Sequence, residues 1–490
     1  MKLLPLLFLS LIYISTAQGQ IVADAVRYSN TTNIGTARHY AVGGAMAALG
    51  GDFGVISTNP ASLGIFRKSE LTLTPSYTLQ KTDAGFRNSG NTTTNNNGQF
   101  ILSNVGMVIH VEPISRTVRG LNIALGYNHI GSFNDDLAFS GGSFGSIADR
   151  WIERADGLRP DQLDNFETGL AFDFGAIYDL DGDLLYDADV FPQDQVQKEQ
   201  IVERSGGMND FTIALGVNLK DKLMIGASLG IPFVNYDEEK TYTESDEDDM
   251  IPIFNELVFS ESLLTTGIGV NLKLGLSYVV TQSLRLGAYV HTPTRMSLTD
   301  QFSTSLTNDF TEPGRDRVRI GGDSPEAVFE YRLSTPWRMG AGVGYIINRK
   351  GFISADVEYV DYSNNKFDLT YASDDPQDAL FESELNGRID DQLTSSINIR
   401  VGGELALQKF RARAGISYRG QPEVSAEADI LSYRAGLGYR GDKYFIDFAY
   451  SLTDRGLSIY EPYTVVAADR QIIEVERIDH LMMLTMGLKF

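Results

Sequence analysis

Six arginines (Arg285, Arg338, Arg400, Arg411, Arg413 and Arg434) fall on one side of stretches whose residues alternate in character. Asp356, Glu358, Glu404 and Asp447 share that side. Guanidinium groups so placed either hold a ligand carboxylate through paired N–H donors or pair with nearby acids as struts. Arg338, Arg400, Arg411, Arg413 and Arg434 are the candidates for the first use. A second cluster, YDLDGDLLYDADV, brings Asp179, Asp181 and Asp183 together, and hard oxygen ligands of this kind suit Ca²⁺. The EF-hand pattern fails there, because position six is Leu184 and position twelve is Val190. The other chemical signals are weaker. GGSFG (141–145) has the spelling of a serine nucleophile elbow without the strand-turn-helix it needs. GLGYRG (436–441) has the spelling of a phosphate loop, but a strand follows it. The five histidines, at 39, 110, 129, 291 and 480, are never three to five residues apart, so no local metal pair exists. With no cysteine there is no disulfide, thiolate metal site or cysteine nucleophile. No catalytic grouping and no cofactor site follow from spacing.

The elements that carry these residues have a period of two. In FRARAGISY, Phe410, Ala412, Ala414, Ile416 and Tyr418 oppose Arg411, Arg413, Gly415 and Ser417. Fourteen such segments follow Glu70, at roughly 69–81, 99–112, 119–134, 209–220, 222–242, 262–280, 283–305, 326–348, 351–371, 394–408, 410–420, 430–441, 443–455 and 478–490. Very short connections (113–118, 221, 281–282, 349–350, 409 and 442) alternate with long ones. A membrane barrel has this arrangement, with tight periplasmic turns, long outer loops and strands apolar outside and polar inside. Tyr278, Tyr345 and Tyr418 lie near strand ends on the outward side, which suits an interfacial girdle and equally the ordinary preference of tyrosine for strands. Inward apolar residues include Leu102, Val108, Met224, Tyr289, Phe445, Leu481 and Met483. The net charge of −23 excludes a global nucleic-acid footprint.

Residues 1–19 read as a signal peptide, with a positive start, an apolar run from Leu3 to Ile14 and small residues at Ala17 and Gly19. A barrel of fourteen strands leaves a sizeable hole. Residues 20–67 are rich in small residues and too poor in large apolar ones for a core of their own, so they are expected to plug it. The expectation is therefore an all-β chain: a fourteen-stranded antiparallel transmembrane β-barrel over 68–490, with an N-terminal hatch in the lumen.

The stretch GTARHYAVGGAMAALGGDFGVISTNPASLGIF resembles the N-terminal hatch of the FadL-type outer-membrane transporters of hydrophobic compounds, in its Bacteroidetes-type branch. Asn59, Pro60 and Ala61 match the hatch tripeptide, and the terminal Phe490 matches the aromatic that barrel-assembly machinery reads. The resemblance implies an outer-membrane protein, amid lipid and lipopolysaccharide, for passive uptake of fatty-acid-like or other hydrophobic small molecules. It implies hatch-controlled passage and lateral release. A binding or scaffold protein of a secretion system, built on the same fold, is the alternative. In the long outer loop 135–208, expected to be partly helical, Leu163, Phe166, Leu170, Phe174 and Ile177 have helical spacing. They are candidates for a landing site for greasy ligands, or for the core of a packed cap. The acidic run 237–249 reads as a solvated loop tip.

Overall fold

An alternating strand has one face for lipid and one for water, and its backbone groups are satisfied only by neighbours on both sides. In the computed structural model every strand of the wall finds both. The structure describes residues 18–32, 34–87, 91–312, 314–348, 350–371, 376–426, 428–466 and 471–490. The expected signal peptide lies outside the described residues as far as residue 17.

Fourteen staves make the wall: β1 (Glu70–Phe86), β2 (Thr93–Val111), β3 (Val118–Ser132), β4 (Gln195–Leu219), β5 (Leu223–Ser245), β6 (Phe254–Val279) and β7, in two pieces (Leu284–His291 and Arg295–Thr311). Then come β8 (Ala327–Ser334 and Arg338–Ile346), β9 (Gly351–Asp361 and Lys366–Asp368), β10 (Ser395–Leu407), β11 (Phe410–Arg419), β12 (Ile430–Arg440), β13 (Tyr444–Tyr460) and β14 (Ile473–Lys489). Each pairs antiparallel with the next, and β14 returns to β1 from Glu70↔Lys489 to Phe86↔Ile473, so the sheet closes. Outward residues such as Leu71, Leu73, Ile225, Leu274, Ile399 and Leu488 each expose 40% or more of their surface. In water that belt would be an aggregation surface; against lipid it is the reason the barrel is stable where it sits.

Staves β4, β5 and β6 have 25, 23 and 26 residues, against 13, 10 and 11 in β10, β11 and β12. A tilted strand crosses a bilayer in about 9–11 residues, so the upper halves of the long staves stand outside it. They carry a cap: a short strand, Leu137–Phe144, paired to β4, then helices α3 (Ala148–Ala155) and α4 (Thr168–Asp173) around the buried Trp151.

Three readings change. The polar stretches 82–86, 93–98 and 195–208 are strand rather than loop, because beyond the lipid a stave needs no apolar face. For the same reason most of the acidic run 237–249 is the upper half of β5. Its even-numbered side chains turn inward: Glu238 pairs with Arg204 and Lys240, and Glu244, fully buried, accepts from Ser146 and the Ile147 N–H. Leu102 faces out, at 42% exposure, because Ser103 is an extra residue in β2 against Thr74 and Pro75 and reverses the alternation above it. The other six inward apolar residues are buried.

The lumen is occupied. Helix α1 (Gln18–Ser29) packs Val22, Ala25 and Tyr28 under α5 (Pro376–Gln392), which crosses the outer mouth between β9 and β10. Below it residues 34–66 fill the lower half of the bore, with helix α2 (Ala37–Ala41) and 3₁₀ turns at Phe53–Val55 and Pro60–Ile65. Inward-facing wall glycines let this backbone approach. Gly226 faces the Pro60 carbonyl and Gly402 the Val42 carbonyl; a Cβ at either would lie 2.3 or 2.2 Å from that oxygen. Gly216, Gly226 and Gly275 stand side by side across β4, β5 and β6.

Gly226→Val is expected to leave a closed, heat-modifiable barrel whose hatch cannot seat. Single-channel conductance in planar bilayers then rises at least tenfold, while outward-facing Ile225→Val leaves it unchanged.

Candidate functional site

The hatch is fastened to staves all round the bore. Asn59, fully buried, donates from Nδ2 to the Ala47 carbonyl (2.7 Å) and to the Leu276 carbonyl of β6 (3.1 Å); its Oδ1 accepts the Ala61 N–H (3.1 Å). One side chain thus caps the turn, ties it to the rest of the hatch and ties both to the wall. Pro60 opens the 3₁₀ turn, where its missing N–H costs nothing. Further ties run from the Ala37 N–H to Thr485 (2.8 Å), the Ala47 N–H to Asp356 (2.9 Å), and Asn122 to the Leu63 carbonyl (2.7 Å).

Between α1 above and the hatch below lies a chamber of about 240 Å³. Ile34, Ile130, Met208, Met296 and Leu481 line part of it. The rest is polar, with six cations (Lys273, Arg338, Arg400, Arg419, Arg434 and Arg455) against two carboxylates, Glu358 and Asp479. Glu358 accepts from Tyr289 (2.8 Å), Arg400 (2.9 Å) and Asn398 (3.0 Å), with Arg338 at 3.5 Å. Arg338 also donates to the Ser29 carbonyl of α1. His39 of α2 faces the same space at 2% exposure. Burial, with Arg400 and Arg434 nearby and Asp52 opposing them, pulls its pKa down to about 4, so it is neutral at pH 7.

The five arginine candidates are therefore divided. Arg338, Arg400 and Arg434 reach the chamber. Arg413 lies below it, clamped between Glu404 and Asp447 at 2.7 Å each, and Glu404 also holds Arg38 of the hatch (3.0 Å). Arg411 sits at the periplasmic turn and donates to the Gln408 and Phe410 carbonyls. Arg419 and Arg455 were missed. Arg419 shares the inward parity of Arg411 and Arg413 and was readable from it, whereas Arg455 lies beside a register shift in β13 that breaks the count.

The chamber also touches an interruption in the wall. β7 breaks at 292–294 and β8 at 335–337, and the pairing frame is the same on both sides of the breaks, which sets Pro293 opposite Pro336. Neither proline can donate to the ladder. Threonines close the seam: the Thr294 N–H donates to the Thr335 hydroxyl (2.9 Å) and the Thr335 N–H to the Thr294 carbonyl (3.0 Å). His291, at the lower edge of the break, bonds through Nε2 to the hatch carbonyl of Thr58 (2.7 Å).

Of the loop candidates, Leu163, Leu170 and Ile177 lie in the cap's core; Phe166 and Phe174 keep part of their surface. Asp179 accepts from the Gly182 and Leu184 N–H groups and Asp183 from that of Leu185, so these carboxylates build a turn. Among the described residues no three metal-ligating side chains converge. Ser143 lies on the cap's short strand and donates to Gln471 (2.7 Å), and GLGYRG is part of β12. Phe490 is 72% exposed, and its N–H donates to the Ser69 carbonyl (3.1 Å).

Asn59→Ala strands two carbonyls and an N–H, and is expected to weaken hatch docking by about 2–4 kcal/mol, seen as faster trypsin cleavage at Arg38 in the intact barrel. His39 adds a pH dependence. Its pKa is lower folded than unfolded, so its contribution is complete above about pH 6.5 and is lost as pH falls through about 4. Hatch protection from hydrogen exchange should fall between pH 7 and 4 in the parent, and less steeply in His39→Gln.

The family model BamG matches residues 184–388. No curated protein matches the sequence. Solved structures do. The toluene transporter TodX of P. putida matches with a TM-score of 0.55 at 13% identity, over 94% of this chain and 99% of its own. A FadL homologue of Pseudomonas aeruginosa matches with a TM-score of 0.53 at 15% identity, over 94% and 98%. The toluene transporter TbuX of Ralstonia pickettii matches with a TM-score of 0.50 at 15% identity, over 94% and 99%. A closed wall of fourteen staves, an apolar belt and these likenesses give the chain the fold of the FadL-type transporters and place it in an outer membrane.

Proposed function

We propose that this protein passes hydrophobic small molecules, long-chain fatty acids among them, across the outer membrane by diffusion. The observation that carries the reading is the chamber: it is floored by the hatch, roofed by α1 and bounded on one side by the paired-proline seam. Its apolar flank suits a chain and its cationic flank a charged end. Toluene transporters and a FadL homologue among the neighbours support a small hydrophobic cargo. The hatch controls passage, because its floor is held by bonds that can be broken one by one. Lateral release occurs at the seam, where two facing prolines withdraw their ladder donors and the hatch touches His291. Greasy ligands are gathered outside by Leu180, Leu185 and Phe191, which expose 81%, 59% and 51% of their surface, and by the half-buried Phe166 and Phe174. Phe490 serves the assembly machinery.

A second reading is a scaffold or binding role in a secretion system. The BamG match bears on it, because that match covers the whole of β4 to β9 and α5 as far as residue 388, and leaves out the hatch that the transport reading needs.

Cells carrying the protein should take up labelled oleate or toluene several-fold faster than cells lacking it. Since the chain has no cysteine, Thr294→Cys with Thr335→Cys gives a clean lock: oxidation should abolish the gain and dithiothreitol restore it. Equal uptake of every compound with and without the protein, together with co-purifying protein partners, would replace the first reading by the second.

A further inference from the structure

The chamber's charge balance is not closed by the protein. Arg455 pairs with Asp479 (2.6 Å), Arg400 and Arg338 share Glu358, and Lys273 pairs with Asp210 (2.7 Å). Arg434 and Arg419 face no carboxylate among the described residues. Arg434 lies over the ring of Tyr40, 3.9 Å from its centre, and among the described residues its Nε has no partner and Arg419 reaches only the hydroxyl of Thr32. The hatch carboxylate nearest in sequence, Asp52, is committed to Thr36 and the Gly54 N–H. Two guanidinium groups held in a plugged lumen without counter-charge are costly. A third group is idle: Nε2 of His39, in a side chain 2% exposed and facing the chamber, has no hydrogen-bond partner among the described residues. Ser417, Ser432 and Ser451 add hydroxyls on the same side.

We propose that the chamber binds a phosphoryl oxyanion between Arg434 and Arg419 on the wall and His39 on the hatch. A planar fork of N–H donors matches the edge of a tetrahedral oxyanion, and two unpaired guanidiniums match two negative charges better than the single charge of a carboxylate. The neutral imidazole gives or takes one further hydrogen bond, and the serines complete the shell. Because His39 belongs to the hatch and both arginines to the wall, the bound anion bridges the moving part to the fixed one. The inference rests on the chamber being where transported compounds dwell, and it adds phosphorylated amphiphiles as a class among them.

The test uses the full chain in lipid nanodiscs, titrated with dodecyl phosphate, inorganic phosphate, dodecanoate and dodecanol, with oleate uptake measured in parallel. Dodecyl phosphate should bind at least tenfold more tightly than dodecanoate. Arg434→Gln and Arg419→Gln should each weaken it tenfold or more, Arg434→Lys should recover only part of that loss because it keeps the charge without the fork, and Lys222→Gln, in a short turn, should change nothing. Inorganic phosphate that binds alone and competes identifies a free anion as the occupant; dodecyl phosphate that binds without such competition identifies an amphiphile's head group. Either supports the site. Equal binding of dodecanol and dodecyl phosphate, insensitive to Arg434→Gln in a folded barrel, overturns the site and leaves the transport reading standing if uptake persists. Loss of uptake dependence with phosphate binding intact overturns the transport reading and leaves the site.

Discussion

Hydrocarbon offers no partner to a backbone amide, and from that single fact the rest of this molecule follows. An open edge is intolerable in the bilayer, so β14 must return to β1. Closing fourteen staves makes a bore wider than their side chains can fill, so something must occupy it. The occupant is backbone rich in glycine and alanine, and it gets close to the wall only where the wall has no side chain. That is why Gly216, Gly226, Gly275 and Gly402 lie on the inner face. The same requirement explains the threonines at the seam: where Pro293 and Pro336 withdraw their donors, Thr294 and Thr335 supply the bonds that hold the staves together.

The charge pattern has a similar logic. The chain is strongly acidic overall, yet its chamber is cationic. Acids that enter the bore are spent as struts, Glu404 joining Arg38 to Arg413 below the chamber and Glu358 joining three staves at its wall. Ion pairs this sheltered are weak evidence for stability but strong constraints on geometry, because removing one partner strands the other. The arginines left over, rather than those engaged, mark where a ligand has something to gain.

Alternation, fourteen segments and the short-long rhythm of the connections were legible in the sequence, because the two faces of a stave meet solvents of opposite kind. Stave height was not, since above the lipid the outer face meets water and the inner face buries charged and polar side chains such as Lys198, Gln200, Glu238 and Glu244, so the alternation of apolar with polar fades in 195–208 and 237–245. Leu102 was misplaced because a bulge such as that at Ser103 leaves no compositional trace. In the cap, the apolar spacing of Leu163, Leu170 and Ile177 was visible, but only Leu170 lies in α4, and spacing cannot say whether apolar residues meet solvent or one another; Trp151 and its neighbours decided that. For the chamber, parity placed Arg338, Arg400 and Arg434 inside, whereas only the packed hatch shows which arginines remain without a carboxylate.

The ties between plug and wall bear on the order of assembly. Residues 34–66 are synthesised before any stave, yet they bond to β3, β6, β9 and β14, from near the first stave to the last. The seat of the leading segment is therefore complete only when the last stave is in place. A cylinder that zipped shut first would have to readmit its own beginning past glycines that leave no slack.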